Sequence, residues 1–141
     1  MPIELKDLLT FIFQRADAMQ TFWNFYAGAV TAVLGVVTAG KSEWLNRWVS
    51  AGLTAAFLLF AVGNFISLDA VRRQRAALIE VALSSSRGQA VRDVVTAVRP
   101  PTAGELRLFH GSLDVATLVA IWGIPLARRR YERAGRAKSQ G

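Results

Sequence analysis

Cysteine is missing from this chain of 141 residues, and histidine occurs once, as His110. Without thiols there is no disulfide framework, no thiolate metal site and no cysteine nucleophile. A lone imidazole also excludes a multi-histidine metal site. Charged residues make up only 19 % of the chain against 52 % hydrophobic ones, which argues against a disordered basic tail protein. The sequence has no Gly-rich phosphate loop, no G-x-S-x-G and no H-E-x-x-H. These absences point away from an enzyme and call for no cofactor and no metal.

What is present is long uninterrupted apolar sequence. Asp17 and Lys41 bracket 23 uncharged residues, and Arg47 and Asp69 bracket 21 more. A helix rising 1.5 Å per residue crosses the hydrocarbon core with about 20 residues. A chain this short cannot wrap two such helices in a polar shell, so they read as membrane spans rather than a soluble core. Phe22, Trp23, Phe25 and Tyr26 gather at the start of the first span, and Trp44 and Trp48 at the link between the two. Such rings favour the headgroup level. The expected spans are residues 20–39 and 49–68, joined as an antiparallel hairpin. Val37-Thr38-Ala39 resembles a signal cleavage site, but Glu4 and Asp7 in the leader and the long apolar run favour a permanent span.

A third apolar block, residues 103–127, follows Pro100-Pro101 and opens on Thr102-Ala-Gly-Glu105, which reads as a capping box. Its stretch free of charge and histidine, Val115 to Ala127, carries Gly123 and Pro125. It suits a third span or a re-entrant helix, and its apolar content and Trp122 favour a span. The section 69–99 is basic. Val91, Val94, Val95 and Val98 recur there at helical spacing, and Ser84 to Gly88 break it. Asp69 to Leu83 reads as the second span continuing into water. Residues 1–17, with Ile3, Leu5, Leu8, Leu9, Ile12 and Phe13, suit a separate amphipathic helix on the membrane surface. Residues 128–141 form a basic tail. The fold class is therefore an all-α integral membrane domain: a transmembrane hairpin, a third inserted helix and amphipathic surface helices.

Basic residues orient membrane proteins, because flanks rich in Lys and Arg stay in the cytoplasm. If only the hairpin crosses, 15 Lys and Arg lie on the side of the N-terminus and two in the link. The N-terminus is then cytoplasmic, as expected for a multi-pass protein of an inner or plasma membrane. If the third block also crosses, the count is nine against eight. Such a balance permits both orientations.

Small residues recur along both spans: Gly28, Ala32, Gly35 and Ala39 in the first, Gly52, Ala56 and Gly63 in the second. Lipid supplies no hydrophobic force between helices, so small residues promote association by close backbone approach. The plainer expectation is that these stripes pack the hairpin; the sharper one is that at least one meets another copy or a membrane-protein partner. Asn24 and Asn64 lie at equal distance from the link and read as a static clamp. His110 and Asp114 share one helix face. Inside a span they are candidates for a proton relay or a cation site; at a helix start they would simply be hydrated.

Arg fills 14 of the 17 basic positions. Arg72, Arg73 and Arg75, and Arg128, Arg129 and Arg130, abut apolar blocks, where anionic lipid headgroups are the economical partner. Nucleic acid is disfavoured, because no recognition motif accompanies the charge of +7. The sequence thus favours a small non-enzymatic membrane protein acting through helix–helix association, as an accessory subunit, a scaffold or a self-assembling bundle. The alternative is an oligomeric minimal channel or proton-coupled transporter.

Overall fold

The computed structural model describes residues 5–40, 45–85 and 88–139. Ile3, Lys41, Trp44, Ser86 and Arg87, and with them most of the link and part of the break after the second span, lie outside the described residues. Among the described residues 93 % are helical and none is in a strand. The four helices are α1 (Leu5–Ala39), α2 (Arg47–Ser85), α3 (Gln89–Ala97) and α4 (Ala103–Ser139). Three of them, α1, α2 and α4, are long and apolar enough to cross a membrane.

The helix boundaries follow local chemistry. Asn46 opens α2: its Oδ1 accepts from the backbone N–H groups of Trp48 (2.9 Å) and Val49 (3.0 Å), an N-cap. Pro100-Pro101 separates α3 from α4. The capping box expected at the start of α4 is formed. The Thr102 N–H donates to Glu105 Oε2 (2.8 Å), and the Glu105 N–H donates back to Thr102 Oγ1 (3.2 Å).

Two boundaries differ from the sequence reading. Residues 5–17 do not form a helix of their own, because α1 runs unbroken from Leu5 to Ala39. Ala16 to Gln20 contain no Gly or Pro to stop it. The third helix does not end at 127 but continues through Pro125 and the basic tail to Ser139. Arg128 to Arg133 are mostly good helix formers, which favours that continuation.

The chain forms two compact units, residues 1–25 with 64–108 and residues 26–63 with 109–141. In the first, Leu8 and Ile12 of α1 pack with Ile79 and Ala82 of α2 and Val95 of α3. Met19 packs with Leu68, Val71 and Leu106. Advancing along α1 thus retreats along α2, so the two are antiparallel here. Asn24 lies five residues beyond Met19 and Asn64 four before Leu68, which sets the two amides level in this register. Asn64 is buried, and Asn24 Oδ1 accepts from Gln20 Nε2 (3.2 Å).

In the second unit, Tyr26, Val33 and Val37 form the buried side of α1, and Ser50, Phe57 and Ala61 that of α2. Gly28, Ala32, Gly35, Ala39, Gly52, Ala56 and Gly63 are all exposed. A Cβ built on Gly28, Gly35, Gly52 or Gly63 would meet nothing within 4 Å. The stripes of small residues therefore do not pack the hairpin. Bulkier side chains on the opposite faces fill that space, because they offer more dispersion contact.

Candidate functional site

The polar centre of the second unit joins α1 to α4. Tyr26 and His110 are 1 % and 2 % exposed. Tyr26 Oη donates to Asp114 Oδ1 at 2.6 Å, and the His110 carbonyl lies 3.4 Å from the same hydroxyl. His110 Nδ1 is 3.0 Å from Asp114 Oδ2. The i, i+4 spacing puts the imidazole and the carboxylate one turn apart, and Tyr26 reaches the carboxylate from the neighbouring helix. Both carboxylate oxygens are thereby engaged. The phenol–carboxylate distance lies at the short end of the O–H···O range.

Apolar rings hold the phenol in place. The Tyr26 ring lies 4.2 Å from the His110 ring, centroid to centroid, and 6.4 and 6.5 Å from Phe57 and Phe60 of α2. Phe57 is buried, so water is kept from this side of the cluster. The His110 imidazole is enclosed, and the part-buried Asp114 carboxylate bridges two helices. Tyr26 was counted from sequence only as an interfacial aromatic. Its partner is 88 residues away, and no local pattern encodes such a pairing.

A second set of contacts fixes the other end of α4. Arg128 Nη1 donates to the Gly40 carbonyl (2.6 Å), and Nη2 donates to that of Thr38. Arg129 Nη2 donates to the Leu45 carbonyl (2.7 Å). The last carbonyls of a helix lack intrahelical donors and carry partial negative charge. Arg128 supplies both a donor and a cation to the end of α1. Between these ends, Trp122 Nε1 donates to Thr54 Oγ1 of α2 (3.1 Å).

The arginines expected at lipid headgroups are thus largely engaged by the protein. In the first unit, Arg72 and Arg73 each pair with Asp69 at 2.9 Å. Arg75 Nη2 donates to the Val98 carbonyl at the end of α3 (2.5 Å). Arg130 and the outer part of Arg73 are exposed. Among the described residues no group of three or more His, Cys, Asp or Glu side chains is arranged to hold a metal ion. Searches against protein families, curated proteins and solved structures find no match to this chain.

Proposed function

We propose that this chain is a three-span, non-enzymatic integral membrane protein that works through helix–helix association, as an accessory subunit, a scaffold or a self-assembling bundle. The observation that carries this reading is the outward face of small residues on α1 and α2. Glycine inside a helix costs about 1 kcal/mol relative to alanine, and among the described residues a Cβ built on Gly28, Gly35 or Gly52 would meet nothing within 4 Å. In lipid, close backbone approach by another helix is the use that offsets this cost. The partner is a second copy or another membrane protein, in a bilayer whose anionic headgroups meet Arg130 and Arg73.

The test is cross-linking in native membranes and sizing in mild detergent, for the wild type and for Gly28→Leu/Gly35→Leu and Gly52→Leu/Gly63→Leu. Association lost in at least one double variant supports the reading. A wild-type chain that is monomeric and cross-links to nothing overturns it.

The buried Tyr26–Asp114–His110 chain favours a second reading, an oligomeric ion channel or proton-coupled transporter. Three helices offer too little wall to enclose a path, so this reading also requires an oligomer. Proton or cation flux into proteoliposomes that is abolished by Asp114→Asn, with assembly unchanged, would support it. Flux absent from the wild type, or unchanged in Asp114→Asn, would remove it.

A further inference from the structure

We infer that this chain inserts into the membrane in both orientations. The inference rests on the three-span reading, and on the charge balance that follows once α4 is taken to cross.

Within the second unit, α4 runs parallel to α1 in a fixed register. Tyr26 meets Asp114 and Gly40 meets Arg128, and both pairs are 88 residues apart. Fourteen residues therefore separate the two contacts on each helix, about 21 Å of helix at 1.5 Å per residue. The stretch from Phe109 to Arg128 holds 20 residues, about 30 Å. It covers the full thickness of a hydrocarbon core. A re-entrant segment would return to the end it came from. Here α4 starts at the Tyr26 end and finishes against the carbonyls of Thr38, Gly40 and Leu45 at the other.

That geometry divides the basic residues. Residues before Tyr26, and those between Gly63 and Phe109, join the spans at the Tyr26 end. They carry Lys6, Arg15, Arg72, Arg73, Arg75, Arg87, Arg92, Arg99 and Arg107, nine in all. At the other end are Lys41, Arg47 and the six basic residues of the tail, eight in all. Orientation follows the excess of Lys and Arg near the span ends, while Asp and Glu contribute little. An excess of one leaves neither orientation preferred. The cytoplasmic N-terminus expected from the hairpin alone required the tail charges to share its side. They do not share it when α4 crosses.

The absence of native Cys makes the test clean. Single cysteines replace Ser85 on the Tyr26 side and Tyr131 on the tail side, both exposed. Intact cells are treated with a membrane-impermeant maleimide, then lysed and treated with a second, distinguishable one. The expected result is that about half of each variant labels from outside. In the Tyr131→Cys chain, Arg133→Gln/Arg136→Gln then lowers the tail side to six, and labelling from outside should rise from about half to nearly all. The same pair of changes in the Ser85→Cys chain should abolish labelling from outside. Ser85→Cys labelled only from one side and Tyr131→Cys only from the other would overturn dual insertion and leave three spans intact. Both labelled only from the same side would overturn the crossing of α4, and the inference with it.

Discussion

The Tyr26 hydroxyl and the Asp114 carboxylate, 88 residues apart in sequence, meet at 2.6 Å between α1 and α4. The bond joins the start of the third apolar helix to the first and places the single histidine against a tyrosine ring. Tyr26→Phe keeps the ring among Phe57, Phe60 and His110 and removes only the hydroxyl. It should destabilise the protein by about 0.6 to 2 kcal/mol, the range for hydrogen bonds between membrane helices. Reversible unfolding in mixed micelles measures this. A Tyr26→Phe protein as stable as the wild type would show that the bond contributes nothing.

Arg128 ends α1 through the carbonyls of Thr38 and Gly40. Arg128→Gln should increase amide hydrogen exchange over the last turn of α1, since that turn loses a donor and a favourable charge. Arg130→Gln, two residues on and exposed, should leave exchange there unchanged. Equal effects of the two would mean that general positive charge, rather than the Arg128 contact, holds the turn.

Gly35 within α1 and Gly40 just past its end should respond in opposite directions to alanine. Gly35→Ala meets open space and should stabilise the isolated protomer by up to about 1 kcal/mol through helix propensity. Gly40→Ala should destabilise, because its Cβ would stand 2.8 Å from Leu45 Cδ1 and 2.9 Å from the Val36 carbonyl oxygen. Thermal unfolding of the monomer in detergent separates the two. A gain in protomer stability with loss of cross-linking in Gly35→Ala would identify that face as the one used in association.

Glu105 gives the start of α4 a pH dependence. The Thr102 backbone N–H and hydroxyl hold its carboxyl below the usual glutamate range. A carboxyl depressed in the folded state stabilises fully above its unfolded value, about pH 4.3. It loses that contribution as pH falls through the lower folded value. Protection factors for the first turn of α4, corrected for intrinsic exchange, should fall in that acid window. In Glu105→Gln they should be lower at neutral pH and flat through the window. A wild-type profile without that fall would refute the assignment.

The sequence by itself determined the apolar helices and several of their ends. Runs of 23 and 21 uncharged residues are long and apolar enough to cross a membrane whatever their neighbours, because transfer into lipid is close to a sum over residues. The Thr102–Glu105 box is equally local, with its partners three positions apart. Tertiary structure decided which faces turn inward and which charges are engaged. Gly28 and Tyr26 are two residues apart on one helix, yet Tyr26 is buried and Gly28 faces open space. Small and bulky stripes both make sensible interfaces on paper, and only the shape of the neighbouring helix chooses between them. The arginines follow the same rule. Beside a span, sequence offers lipid as the economical partner, but Asp69 and the carbonyls of Thr38, Gly40, Leu45 and Val98 come within reach of five of them. Three of those five reach partners 23 to 90 residues away. Periodicity reads a few helical turns, so contacts at that separation become visible only once the helices are laid side by side.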